Sequence, residues 1–284
     1  MTVKIFRTKQ ELQQELSGIR QENKVITLVP TMGALHQGHL SLINFAKPLT
    51  DITVCSIFVN PTQFNDPKDL EKYPRPIEND IALLESVDCD ILFMPSVEEM
   101  YPENDPEWHI DLGNLDQIWE GEHRPGHFQG VTQIVYKLFD LVKPNKACFG
   151  QKDFQQVMVI QKMIEIKKLD IELLICPIVR SEKGLALSSR NARLSEEGKE
   201  NALTIIQSLR YIKDNFGNQS VSELLNKAKA IIAANPALEL EYLSICETTT
   251  LAPAQEIEAG KEYVALIVAW VENVRLIDNI LLSH

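Results

Sequence analysis

The residues best suited to chemistry are two histidines, His36 and His39, in the run Pro30-Thr31-Met32-Gly33-Ala34-Leu35-His36-Gln37-Gly38-His39-Leu40. Imidazoles at this spacing can reach one phosphate chain and stabilise a leaving pyrophosphate without a fixed positive charge. Gly33 and Gly38 carry no Cβ, so the backbone can turn tightly and approach a ligand. His39 falls where a helix is expected to begin, and free N–H groups at a helix start attract anions. A zinc pair is the other reading of two close histidines, but no Cys or carboxylate stands near at ligand spacing.

Four further stretches carry suitable groups. In Phe58-Val59-Asn60-Pro61-Thr62-Gln63-Phe64-Asn65, the carboxamides of Asn60 and Gln63 can pair with hydroxyl and carboxylate oxygens without adding charge. Tyr73-Pro74-Arg75 and Asn79-Asp80 follow, where Asp80 either faces a metal or opens a helix. A basic, glycine-rich turn over residues 121–131 suits an anion or a substrate lid, or else Arg124 and His127 hold the loop. In Phe149-Gly150-Gln151-Lys152-Asp153, Lys152 offers a point charge for phosphate; Gln156 lies one turn further on. Finally Ser188, Ser189 and Arg190 set two hydroxyls and a guanidinium on an expected loop, a suitable clamp for polyphosphate.

These runs need a frame. Apolar segments at 25–29, 52–59, 90–94, 147–149 and 171–176 alternate with helical patterns at 40–49, 77–87, 131–142 and 154–167. Such alternation predicts a doubly wound parallel α/β sheet, which binds ligands at the carboxyl ends of its strands. Beyond Pro177 the pattern changes to a polar stretch at 180–193, helices at 195–215 and 221–234, and strand-like runs at 240–246, 263–270 and 274–278. The expected domains are therefore 1–178 and a smaller α+β domain, 179–284, with an antiparallel sheet.

Composition sets the outer limits. The chain has 284 residues, 44% hydrophobic and 24% charged, enough for sizeable cores. A net charge of −12 argues against wide nucleic-acid contact, although a local basic pocket for one nucleotide remains compatible. No apolar run approaches the ~18 residues of a membrane span, and residues 1–4 show no signal core. The five cysteines are scattered among apolar runs and read as reduced core residues, so a soluble, cytoplasmic protein is expected. Walker A, Gly-x-Gly-x-x-Gly and Gly-x-Ser-x-Gly motifs are missing from the sequence.

Four strings in combination resemble the pantothenate synthetase (pantoate–β-alanine ligase) family: Thr-Met-Gly-Ala-Leu-His-x-Gly-His, Phe-Val-Asn-Pro-Thr-Gln-Phe, Arg-Pro-Gly-His-Phe-x-Gly-Val and Leu-Ala-Leu-Ser-Ser-Arg-Asn. The resemblance runs from Lys4 to Asp278 and is densest between Pro30 and Leu194. His-x-Gly-His alone indicates only the wider HIGH-type nucleotidyltransferase superfamily, with its Rossmann-like sheet. The family resemblance implies that pantoate attacks ATP to give pantoyl adenylate and pyrophosphate, and that β-alanine then displaces AMP to give pantothenate.

It also implies roles by position. Met32, Gly33, Ala34, Leu35, His36, Gln37, Gly38 and His39 would line the ATP site, His39 as proton donor. Gly150, Gln151, Lys152, Asp153, Val179, Leu187, Ser188, Ser189 and Arg190 would complete the ATP contacts. Gln63 and Gln156, with Asn60 close by, would meet pantoate and β-alanine. Mg²⁺ would accompany the phosphates through water and substrate oxygens, with no dedicated protein ligand, and the protein would be a homodimer. His36, His39, Lys152 and Arg190 would supply the charge compensation that adenylation needs. Three positions depart from the family pattern: Gln151 and Lys183 each replace an acidic residue, and Asn79-Asp80 replaces an acidic pair. Two rivals remain: a nucleotidylyltransferase whose product keeps the nucleotide, and an inactive nucleotide-binding module, against which intact His36, His39 and Lys152 argue.

Overall fold

A computed structural model describes residues 2–65 and 67–283. In chain order the elements begin β1 (Lys4–Phe6), α1 (Lys9–Gln21), β2 (Ile26–Thr31), α2 (Gln37–Ala46), β3 (Ile52–Ile57), α3 (Pro67–Lys72), α4 (Ile77–Ser86) and β4 (Ile91–Phe93). They continue α5 (Val97–Met100), α6 (Glu120–His123), α7 (His127–Val142), β5 (Lys146–Gly150), α8 (Phe154–Lys167) and β6 (Glu172–Cys176). The last are α9 (Glu196–Asn215), α10 (Val221–Ala233), β7 (Leu238–Glu247), β8 (Tyr263–Val271) and β9 (Val274–Leu282). The chain divides into two compact units, Met1–Gln151 with Gln155–Pro177, and Lys152–Phe154 with Ile178–His284.

The first unit is built on a six-stranded sheet in the order β1-β4-β3-β2-β5-β6, with every pairing parallel. From β2 the chain steps outward through β3 and β4, then returns to lay β5 against the other side of β2. The topological switch point therefore lies between β2 and β5, where open α/β sheets bind ligands. Side chains alternate faces along a strand, so Val54 of β3 enters one apolar cluster while Cys55 and Ile57 enter the other. Leu12, Leu16, Phe128, Leu138 and Ile160 of α1, α7 and α8 cover the first face. Leu42, Ile43 and Leu84 of α2 and α4 cover the second. This is the doubly wound arrangement the alternation implied.

The second unit holds a three-stranded antiparallel sheet, β7-β8-β9, packed against α9 and α10. Leu209, Ile212, Leu224 and Ile232 meet Ile245, Ala265, Ile267 and Ala269 in its core. β8 and β9 are joined at Glu272 and Asn273, both left-handed with φ of 50° and 60°, as a tight hairpin turn requires. The Glu272 carboxylate accepts from the backbone N–H and the hydroxyl of Ser195, which itself caps α9.

Candidate active site

The run after β2 is held by bonds among its own atoms and by one distant carboxylate. Gly33 N–H donates to Thr31 Oγ1 at 3.2 Å. Ala34 N–H and Leu35 N–H donate to the two oxygens of Asp80, at 2.9 and 2.7 Å. Asp80 lies in the first turn of α4, only 1% exposed, and burial pushes its carboxyl above the ordinary range while the two N–H groups pull it back in part. Its side chain makes no cap for α4, although it sits in the first turn; it ties down the loop. Gly33 sits under this tie at φ 80°, where a Cβ would come within 3.0 Å of Asp80 Oδ2 and of the Ile57 side chain.

His36 is the N-cap of α2 and His39 is its third residue, so the helix starts three residues before the expected position 40. Gly38 N–H donates to His36 Nδ1 at 3.0 Å, and His36 N–H to His39 Nδ1 at 3.4 Å. The two half-buried rings lie 4.1 Å apart, tilted by 38°. A neutral imidazole that accepts at Nδ1 carries its proton at Nε2, so each ring can act as a neutral donor through Nε2–H. Two expectations change. The N–H groups of Gly38 and His39 are engaged, the latter with His36 C=O at 2.8 Å, so a bare helix start is not the anion site. The Leu35 side chain is buried in the core with its N–H on Asp80, so it offers no side-chain contact to a nucleotide.

The turn after β3 is built just as tightly. Asn60, 1% exposed, donates through Nδ2 to Gln63 Oε1 at 3.2 Å and to Gly130 C=O at 3.1 Å. Its Oδ1 accepts from Thr62 Oγ1 at 3.1 Å and from Tyr101 OH at 2.7 Å. Asn60 thus holds Gln63 and ties the turn to α7 and Tyr101. Burial pushes the Tyr101 phenol up to about 12, so it remains a donor throughout the neutral range. Gln63 Nε2 rests on the Met32 sulfur at 2.8 Å. A thioether is a weak acceptor, so a substrate oxygen would be a better partner for that amide.

α7 closes over this turn at Gly130, where a Cβ would overlap the Thr62 carbonyl and Gln63 N. His127 Nδ1 lies 2.9 Å from Gln63 C=O, and Arg124 reaches the same oxygen at 3.5 Å. These two residues hold the loop, the structural one of their two expected roles. Gln155, 4% exposed and not singled out in the sequence, accepts from Glu120 N–H and donates to the carbonyls of Leu115 and Ile118. The adjacent Gln156 is half-buried, and its carboxamide has no hydrogen-bond partner among the described residues.

In the second unit the stretch expected to be irregular over 180–193 is ordered by backbone bonds. Leu187 N–H donates to Val179 C=O at 2.9 Å and Ser181 N–H to Leu185 C=O at 2.8 Å, so Val179 and Leu187 face each other across a small hairpin. Ser188 caps the 3-10 turn Ser189–Arg193 through its hydroxyl and Arg190 N–H, at 3.2 Å. Lys183 pairs with Glu200 of α9, so its departure from the family charge pattern is neutralised nearby. Lys152 and exposed Asp153 belong to this unit, whereas Gly150 and Gln151 belong to the first. All five cysteines are buried free thiols. Among the described residues no helix is long and apolar enough to cross a membrane, and no His/Cys/Asp/Glu cluster suits a metal ion.

Comparison with known proteins gives these residues a context. Residues 4–281 match the family model described as pantoate-beta-alanine ligase. The chain is 49% identical over 278 residues to the pantothenate synthetase of Bacteroides fragilis, covering 98% of both chains. It superposes on a crystal structure of the Thermus thermophilus enzyme with TM-score 0.92 and 39% identity, covering 98% of this chain and 99% of that one. A Francisella tularensis pantoate-beta-alanine ligase, complexed with beta-gamma ATP and beta-alanine, aligns with TM-score 0.80 and 36% identity over 98% of this chain and 97% of that one.

Proposed function

The chain belongs to the pantoate–β-alanine ligase family, and from that premise we propose that it makes pantothenate in two steps through a bound pantoyl adenylate. In the first, a pantoate carboxylate oxygen attacks the α-phosphorus of ATP and the bond to the β-phosphate breaks, releasing pyrophosphate. In the second, the β-alanine nitrogen attacks the activated carbonyl, AMP departs with the bonding pair, and the nitrogen loses its proton. The Francisella tularensis complex supports ATP and β-alanine as substrates. Mg²⁺ enters as part of the Mg·ATP substrate; the Asp80 oxygens already accept from Ala34 and Leu35 and provide no ready ligand for it.

The observation that carries this reading is the pair of imidazoles at the end of β2, each anchored at Nδ1 and so protonated at Nε2. Neutral N–H donors stabilise charge on a leaving pyrophosphate without first trapping the ground state as a fixed cation would. Gln63 and Gln156 are neutral too, and orient a carboxylate without repelling it. Lys152, Ser188, Ser189 and Arg190 supply the remaining phosphate contacts.

Pyrophosphate exchange tests the scheme. Exchange into ATP should need pantoate but no β-alanine, and AMP should appear only when β-alanine is added. His39→Ala should lower exchange by about 10²-fold or more with an unchanged circular dichroism spectrum. Product formation with no pantoate-dependent exchange would replace the adenylate with a concerted path, and near-normal exchange in His39→Ala would remove the histidine from the mechanism.

A further inference from the structure

Mid-strand in β9, between apolar neighbours, stand two adjacent polar residues, Asp278 and Asn279, which are 5% and 1% exposed. Neighbours in a strand point to opposite faces, so such a pair can bind two different segments. Here it does. Arg180 grips Asp278 with both terminal nitrogens, at 2.6 and 2.9 Å, and also reaches the carbonyls of Gly184 at 3.2 Å and Asn279 at 3.3 Å. That fork fixes the 179–187 hairpin, and Asn191 Nδ2 ties the following turn to Ala186 C=O at 2.9 Å. Asn279 Nδ2 donates to Lys152 C=O at 2.9 Å, and Asn279 N–H donates to Asp278 Oδ1 at 2.8 Å.

A buried ion pair is a poor source of net stability, because desolvation offsets much of the attraction. Apolar residues would suit a β-strand core better, so stability alone gives no reason for this pair. What it does fix is geometry: Lys152–Phe154, though flanked in sequence by the first unit, belongs to the second together with the hairpin. We propose that Asp278 and Asn279 are positioning residues that hold Lys152 and the Ser188–Arg190 segment in one arrangement, so that two cations far apart in sequence act on ATP as a single clamp. The proposal rests on the reading that Lys152 and Arg190 serve the ATP phosphates. Asn279 sets the backbone from which Lys152 extends; Arg180 and Asp278 set the hairpin that leads into Ser188.

The test is a double-mutant cycle in the pantoate-dependent exchange assay, using the full chain. Asn279→Leu keeps the branched shape and removes the donor; it should raise KM for ATP about tenfold, the equivalent of one lost hydrogen bond of ~1.4 kcal/mol, and leave KM for pantoate within about twofold. In a Lys152→Ala background the same substitution should change KM for ATP less than about twofold, because its route of action is gone. Asn279→Ser takes its place, with the same expectations, if the leucine variant does not fold. Multiplicative, independent effects of the two substitutions, or an unchanged KM for ATP in a folded Asn279 variant, overturn the positioning role. A Lys152→Ala enzyme with unaltered ATP dependence overturns the phosphate reading itself, and is recognised from that single variant alone.

Discussion

Asp80 offers the sharpest perturbation, because one carboxylate holds two consecutive backbone donors of the loop that precedes His36. Asp80→Asn keeps one acceptor and turns an NH2 group toward the other backbone N–H, leaving one buried donor orphaned. An orphaned buried donor costs about 1–3 kcal/mol, so Asn should destabilise by that amount and Ala, which orphans both, by roughly twice as much. Urea denaturation measures the loss. The loop would also relax, and a misplacement of ~1 Å at reacting groups can cost about 10²-fold in rate, so exchange activity should fall in both variants. If Asp80 instead acted through Mg²⁺, raising the metal concentration would restore the Asn variant; as a tether it leaves the defect indifferent to Mg²⁺. Rescue by Mg²⁺, or loss of activity with stability changed by less than ~0.5 kcal/mol, would refute the tether.

Burial raises the Asp80 carboxyl, so its stabilising contribution is full below the unfolded value of about 4 and falls as pH climbs through the folded value; the stability gap between wild type and Asp80→Ala, which has no carboxyl, should therefore narrow from acid to neutral pH, and a gap that widens contradicts the burial argument. Gly130→Ala drives a methyl into the Thr62 carbonyl; it should cost about 1–3 kcal/mol as an overpacked contact and raise KM for pantoate, both read from the same preparation. Tyr101→Phe removes one of two donors to Asn60 Oδ1; about 0.5–1.5 kcal/mol of stability and a few-fold rise in KM for pantoate are expected, with kcat retained, and an unchanged KM would detach Tyr101 from Gln63.

How much of this was readable depends on distance along the chain. Strands β2 to β5 announce themselves as apolar runs because both of their faces are largely buried. β1 does not: Lys4 and Ile5 are exposed, and only pairing with Ile91–Phe93 makes the segment a strand. The histidines and Gln63 stand out through local glycines and turns. Their supports do not, because Asp80 reaches Ala34 across 46 positions, Tyr101 reaches Asn60 across 41, and Gln155 reaches Glu120 across 35. The positioning role of Asn60 is hidden for a related reason: an amide at a strand end looks available until Tyr101, Thr62 and Gly130 are seen to engage it. Asp278-Asn279 did leave a trace, as a polar interruption in a strand otherwise rich in Val, Ile and Leu.

The spacing of the two histidines has a structural cause that the phosphate argument alone does not reach. N-cap and third helical residue are the positions of a capping box, in which each side chain accepts from the other's end of the turn. Ser or Thr would cap and then have little left to offer a ligand; Asp or Glu would cap but bring negative charge toward phosphate. Imidazole divides the tasks, with Nδ1 spent on the helix and the proton held at Nε2. The cap also fixes the tautomer, placing each ring's proton at Nε2. Because Gly33, Ala34, Leu35 and Gly38 have their N–H groups engaged as well, binding need not order this loop, and the interaction energy is free to act on the phosphates.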